Sequence, residues 1–444
     1  MENKKYLELL QEAKESWEQL SVFRKKRNRC RDYTYGRQWN DIIEVDGRRI
    51  TEYEYILSEG NVPLKNNIIR RVVRNVLGVF RERLPEILKE EYGKMPELMK
   101  ENSLEEIFSR SMEEFLISGL VVHRKRIDSE GGDPSVKTEI VSPGSFFFNT
   151  DSRDPRGWDI NLVGQVHKVS FGEWCSAFVK TRDDFQTARQ LFSKSGTRIN
   201  VTEIWKKEPS GRYLVHDRDT GTLWRCSEDE AGAENMERQK KWVMGEVWRY
   251  YFLLDDGRVL QSGESPYLHG SHPYVMKGYP FIEGEINSLV GDMIDQQRYT
   301  NRLITLYDWT VRASAKGVLL VPEGAVEPEN LQEMADQWGR FNGVILYKAR
   351  PDNPEPRQVN GNAANAGISE LLEIQLKMME DVSGVNGILQ GNTSGANVSG
   401  ELYNQQTTNA LYSLSDILKT FESFIRDSAA KDKMLVQQCE TQIK

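Results

Sequence analysis

Long apolar runs are missing from this chain. No stretch of about 18 apolar residues occurs in its 444 residues, so no segment is expected to cross a membrane as a helix. Cysteine is scarce. Cys30, Cys175, Cys226 and Cys439 lie far apart, no two have metal-ligand spacing, and the usage fits a reducing compartment. Basic residues are not in excess: 59 Lys and Arg against 67 Asp and Glu give a net charge of -8. A protein that grips DNA along its surface would show a basic footprint, so only passing contact with DNA is compatible with this balance. Catalytic signatures are also missing. Gly391-Asn-Thr-Ser-Gly395 lacks the lysine of a phosphate loop, and no G-x-S-x-G, H-E-x-x-H or C-x-x-C occurs. The N-terminus is charged from its second residue and carries no signal-peptide apolar core. No internal repeat is visible.

What remains is an ordinary apolar content of 38% and a charged content of 28%, which fit a globular chain. Its length predicts two or more substructures. Helical spacing of apolar residues predicts helices over 3–31, 64–92 and 103–120, the last with a capping box of Ser103 and Glu106 and a stop at Gly119. From 121 to 280 the pattern turns β-rich. Strands are expected at 121–127, 137–141, 145–149, 162–167, 198–205 and 242–252, with 226–240 an exposed loop. Helical periodicity returns over 285–316 and 366–384. Between these lies a compact βαβ-like insert: a strand at 318–321, a short helix over 328–341, a strand at 343–347, and a stop at Pro351, Pro354 and Pro356. A last amphipathic helix runs from about Gly400 to near the C-terminus. The fold class expected is α+β.

Candidate chemistry is sparse. His269 and His272 form the best local metal pair, but no acidic or thiol partner stands near them, and a plain loop is the competing reading. Asp292 and Asp295 share a helix and would pair with Arg298, Arg302 or Arg312. The basic run 24–31 suits either a nucleic-acid patch or the polar face of the first helix. Trp158 and Trp174, with Phe146 to Phe148, read as β-core. No metal, cofactor or catalytic residue is assigned.

The segment Val385 to Gly400, Val-Asn-Gly-Ile-Leu-Gln-Gly-Asn-Thr-Ser-Gly-Ala-Asn-Val-Ser-Gly, contains no charged residue. Its glycines let the backbone move. Such a segment between two helices is a poor catalytic site and a good surface for something to slide past.

The order of these parts resembles the portal proteins of tailed bacteriophages, rings through which DNA is pumped into a capsid. The resemblance rests on Arg31-Asp-Tyr-Thr-Tyr-Gly-Arg-Gln-Trp39, Phe115-Leu-Ile-Ser-Gly-Leu-Val-Val-His123, Val141-Ser-Pro-Gly-Ser-Phe-Phe-Phe-Asn-Thr-Asp151, the helix Leu289 to Asn301 with its D-x-Q-x-x-x-N pattern, and Gly387-Ile-Leu-Gln-Gly391 followed by Val398-Ser-Gly400. Their shared order carries it. The resemblance implies a non-enzymatic, twelvefold ring of portal-type subunits. Residues 1–284 would be an α/β wing, 285–316 and 361–385 two stem helices, and 317–360 a clip. Residues 386–400 would be a tunnel loop and 401–444 a long helix above it, with a short or absent crown. Asn386, Gln390, Asn392, Thr393, Ser394, Asn397 and Ser399 would face the DNA channel. Glu329, Glu333, Trp338, Arg340, Lys348 and Arg350 would dock the motor and neck proteins. The implied partners are further copies of the chain, the terminase large subunit, head-completion and neck proteins, major capsid and scaffold proteins, and double-stranded DNA passing non-specifically. The implied location is the capsid vertex of the virion, with the host cytoplasm during assembly. Twelve copies at -8 give 12 × -8, about -96, which repels phosphate and suits transport. The competing readings are a soluble enzyme with a Gly-rich mobile lid at 386–400, and another head or neck structural protein.

Overall fold

The computed structural model describes residues 2–128, 134–149, 151–154, 156–218, 220–226, 238–279, 281–282, 284–316, 318–320, 330–339, 357–359, 367–385 and 400–443. Helix accounts for 53% and strand for 26%, the mixture expected of an α+β chain. The chain divides into two compact units. Unit 1 comprises 1–35, 69–294 and 383–444, and unit 2 comprises 36–68 and 295–382.

Unit 1 begins with α1 (Glu2–Gln19) and α2 (Ser21–Thr34), so the single helix expected over 3–31 is broken at Leu20. Helix α4 (Ile68–Tyr92, with only Ile68 in unit 2) buries Ile69, Val72, Val73, Val76 and Phe80 on one face, as the apolar spacing predicts. After α5 (Pro96–Glu101) comes α6 (Leu104–Ser118). The expected capping box at its start does not form. Only Asn102 and Ser103 separate the two helices, and Ser103 takes a left-handed φ of 49°, with no capping bond from its side chain. The stop at Gly119 is real. Its φ is +76°, and a Cβ there would stand 1.6 Å from the Asn287 carbonyl oxygen, so only glycine fits.

Two antiparallel sheets follow. The smaller runs β11 (Tyr274–Gly278), β3 (Leu120–Asp128), β4 (Ser135–Ile140). The larger runs β10 (Val259–Glu264), β9 (Arg238–Leu254), β7 (Arg198–Asp217), β6 (Leu162–Ser170), β5 (Phe146–Phe148), with β8 (Leu223–Cys226) beside the far half of β7. β7 is far longer than its predicted 198–205, because Pro209 and Gly211 read as a turn. Pro209 is tolerated because it falls between Lys206, where β6 pairing stops, and Tyr213, where β8 pairing starts, so its missing N–H breaks no rung on that side. Of the expected loop at 226–240, Arg238 to Lys240 belong to β9 and residues 227–237 lie outside the described residues.

Between the strands expected at 162–167 and 198–205, where the sequence pattern assigns no element, the structure has two helices, α7 (Phe171–Phe178) and α8 (Arg182–Ser195). Thr181 and Asp184 cap α8 reciprocally. Phe146, Phe147 and Phe148 are core residues, as expected. Trp174 is buried too, but on α7, in a separate cluster with Phe178 and Phe192. Trp158 is not core: it is 69% exposed, with the Arg156 guanidinium stacked 3.7 Å from its ring.

The C-terminal helix α12 (Gly400–Ile443) packs on β11, β3 and β4. Phe421 and Phe424 meet Phe80, Phe108 and Phe115 edge-on or tilted at 5.1–6.2 Å, a geometry aromatic rings favour.

Unit 2 holds the hairpin β1 (Ile42–Val45) and β2 (Arg48–Thr51), helix α3 (Glu52–Ser58), and most of α9 (Leu289–Lys316) and α11 (Ile368–Ser383). Between the last two lie β12 (Val318–Leu320), α10 (Leu331–Gly339) and β13 (Arg357–Val359). The expected strand at 343–347 lies outside the described residues. β12 pairs antiparallel with β13, a strand the prolines at 351–356 had argued against, because pairing resumes just after the last of them.

Candidate functional site

The uncharged segment leaves α11 from a fixed point in unit 1. Helix α11 ends at Ser383, and Gly384 takes φ +67°. Val385 is fully buried, and its N–H donates to the Ser383 hydroxyl at 3.2 Å. The Ser413 hydroxyl donates to the Gly384 carbonyl at 2.8 Å. Ser413 lies 13 residues into α12, so this clasp sits about 20 Å along the helix from its start at Gly400. Residues 386–399 link the two points. Asn386, Gln390, Asn392, Thr393, Ser394, Asn397 and Ser399 therefore lie outside the described residues. So do Glu329, Arg340, Lys348 and Arg350. Trp338 lies on α10, its side chain not among those described; Glu333 lies in the first turn of α10 and is exposed.

Unit 2 contains a polar ladder that sequence reading missed. Gln297, Asn301 and Thr305 stand at four-residue steps on one face of α9. Gln297 Oε1 accepts from the Ile68 N–H at 2.9 Å, Asn301 Oδ1 from the Asn66 N–H at 3.1 Å, and Thr305 Oγ1 from the Leu64 N–H at 3.1 Å. Four residues of helix rise about 6.0 Å, and two residues of strand advance about 6.6 Å. Every fourth helix side chain therefore meets every second amide of segment 64–68, as a neighbouring strand would. Gln297 Nε2 also donates to the Asn66 carbonyl at 2.6 Å, and Asn301 Nδ2 donates to Gln38 Oε1 at 2.7 Å. Trp39, buried, donates its indole N–H to the Leu64 carbonyl. The signal in the sequence was a polar triplet, Q-x-x-x-N-x-x-x-T, on an otherwise amphipathic helix.

Glu52, the first residue of α3, is 3% exposed. It accepts from both Arg298, at 2.8 Å, and Arg302. The partner expected for these arginines was Asp292 or Asp295. The helix presents them instead to the buried carboxylate of α3, which needs a cation to be tolerated there. The side chain of Arg312 is not among those described.

Unit 1 buries a charge pair. Lys125 on β3 donates to Asp432 Oδ2 of α12 at 2.6 Å and to the Thr138 hydroxyl at 2.8 Å; both charged side chains are fully buried. Tyr92 donates to the same carboxylate oxygen at 2.8 Å. Next to Asp432, Lys431 donates to the carbonyls of His272 and Tyr274 at 2.6 and 2.8 Å. Burial, and the charge of Lys125 nearby, lower its pKa to about 7. On the larger sheet Glu203, fully buried, accepts from Arg124, His167 and Trp205. Burial pushes its pKa up, but these partners outweigh it and hold the carboxylate near 2.

The other candidates resolve into local structure. His272 Nδ1 accepts the Tyr274 N–H, and its ring stands edge-on to Trp248 at 4.7 Å. His269 Nδ1 accepts the Ser271 N–H, and its ring stacks on Tyr267. Burial lowers both imidazole pKa values, that of His269 to about 4. Among the described residues no cluster of three metal-ligating side chains occurs. In the basic run, Arg27 is buried and grips Glu114 through two bonds of 2.7 and 3.0 Å, and Arg24 stacks on Trp17. Those two cations serve the fold rather than an open basic patch.

Among curated proteins none matches the chain. The family model of phage P22-like portal proteins matches residues 92–439. That match takes in β3, the larger sheet, α9, α11 and α12, well over half of the sequence, and the chain belongs to the phage P22-like portal protein family.

Proposed function

We propose that the chain is one subunit of a ring-shaped channel at a capsid vertex, through which double-stranded DNA is packaged and later released. Portal proteins are structural components of the virion that assemble as rings. The observation that carries the finer reading is the order of parts from α9 onward. A long helix, a small two-stranded insert with a helix, a second helix, an uncharged segment and a 44-residue helix follow one another in a family member. In this reading residues 1–284 form the wing, 285–316 and 361–385 the stem, 317–360 the clip and 386–400 the tunnel loop. The lack of charge at 385–400 lets phosphates pass many copies without the counterion release that holds DNA to basic surfaces. The clip docks the terminase and later the neck proteins; the wing meets capsid and scaffold proteins. Twelve copies and assembly in the host cytoplasm belong to the same proposal.

Negative-stain imaging and mass photometry of the concentrated protein test it. Closed rings with a central hole are expected. A monomer under all conditions that encloses a small-molecule ligand would overturn the channel reading.

A further inference from the structure

Unit 2 carries two apolar surface features of opposite shape. The first is a groove of about 430 Å³. Trp39, Ile43, Tyr55 and Ile56 line it from the 36–68 segment, and Leu306 and Trp309 line it from α9. The two α9 side chains are 46% and 49% exposed. The second is a stripe on α11. Leu371, Ile374, Met378 and Val382 are 43–51% exposed and spaced by three, four and four residues, which places them on one helix face over about 16 Å. The inward face of α11 adjoins this stripe, where Met379 and Ser383 are buried.

A single subunit does not need either feature bare. Apolar surface of this kind, contiguous and framed by polar residues, marks contact with another macromolecule. A closed ring of more than two copies requires heterologous contacts, in which one surface of each subunit meets a different, complementary surface of the next. A concave and a convex apolar surface on one unit meet that requirement; two grooves or two stripes would close at a dimer. The charges are also compatible. The groove lining includes Glu59 and the half-exposed Arg302, and α11 bears Lys377 and Asp381, four residues apart, along one flank of its stripe.

We infer that the α11 stripe of one copy seats in the α3–α9 groove of the next, and that this contact is repeated around the ring. The inference rests on the ring reading above and names its interface. Leu306→Cys and Met378→Cys, alone and together, test it with a short bis-maleimide crosslinker on assembled protein. Both positions are surface-exposed, so folding is not at stake, and the parent with its four native cysteines supplies the background. The double variant should give a ladder of covalent multimers on a denaturing gel, at least tenfold above either single variant. An equal mixture of the two single variants should give dimers and stop there. Three outcomes overturn the inference. Rings that form normally without 306-to-378 crosslinks, or with only intrachain ones, remove this interface and leave the ring reading intact. Crosslinking of the Leu306→Cys variant to itself would indicate a two-fold contact instead. A parent protein that never forms rings removes the ring reading and the interface with it.

Discussion

Asn301→Ala is the most informative single change in unit 2. Asn301 is fully buried, and its amide serves three partners: the Asn66 N–H at 3.1 Å, Gln297 Nε2 at 3.0 Å and Gln38 Oε1 at 2.7 Å. Removing the side chain takes away the acceptor of a backbone N–H, which costs about 1–3 kcal/mol, and two side-chain bonds of about 1 kcal/mol each. The sum, about 3–5 kcal/mol, is a large part of the stability of an ordinary domain. The loss should be local first. Hydrogen exchange followed by mass spectrometry on peptides covering 62–69 reads it directly, because the amides of Leu64, Asn66 and Ile68 are the ones the ladder protects. Their exchange should quicken by about 100-fold or more, since each 1.4 kcal/mol is a factor of ten. Thr305→Val gives a graded control: it removes only the acceptor of the Leu64 N–H and should cost about 1–3 kcal/mol. Unchanged exchange over 62–69 in Asn301→Ala, with a stability loss under about 1 kcal/mol, would refute the view that α9 holds this segment as a strand would.

Three further outcomes are expected. Lysine at both Asn392 and Asn397 should leave ring assembly intact while lowering the yield and length of packaged DNA, and normal packaging would count against a channel role for 386–400. Gly384→Ala should cost about 1–3 kcal/mol, from φ +67° and a Cβ 2.8 Å from the Ser413 hydroxyl, and a urea midpoint equal to the parent's would reject the clasp. For Lys431 the sign follows from its pKa of about 7 in the fold against 10.5 when free: between these values the unfolded chain holds more protons, so stability rises with pH from 7 to 10.5. Lys431→Met should flatten that rise, and a parent whose stability is level across the window would contradict the assignment.

Much of the frame could be read from spacing. Helices α4, α9 and α12 declare their buried faces, and Gly119 stops α6 where a close carbonyl admits no Cβ. The misses have specific causes. Helices α7 and α8 were signalled by Ser170 with Glu173 and by Thr181 with Asp184, but they lie between β-rich runs in a stretch to which the sequence pattern assigns no element. Pro209 hid half of β7, because proline excludes a central strand only where both edges are paired. The uncharged segment was legible as composition alone. The partners of Glu52, Lys125 and Asn301 were not legible, because periodicity reports which side of an element is buried and nothing about what lies opposite. Lys125 and Asp432 stand 307 residues apart.

Unit 2 pairs a buried polar network with half-exposed apolar residues, and the pairing separates folding from assembly. The interior of unit 1 packs Phe80, Phe108, Phe115, Phe421 and Phe424, all at or near zero exposure, around its buried Lys125–Asp432 pair. In unit 2, Gln38, Gln297, Thr300 and Asn301 are at most 1% exposed and Glu52 3%, while Leu306, Trp309, Ile374 and Met378 remain about half exposed. A buried polar network fixes geometry sharply because each unmet partner is costly, yet it contributes little net stability when complete. Half-exposed apolar side chains hold burial free energy in reserve, about 25 cal/mol for each Å² that a neighbour later covers. On the interface inferred above, unit 2 sets its shape within one chain and gains further burial from the next copy. Two lesions should then part cleanly. Loss of the Asn301 rungs should speed exchange at 62–69 in the free subunit and in the ring alike. Leu306→Asp should leave that exchange as it was in the free subunit and stop the ring from closing. If Leu306→Asp instead quickens exchange at 62–69 in the free subunit, the exposed apolar face supports the subunit's own fold, and burial is not deferred to assembly.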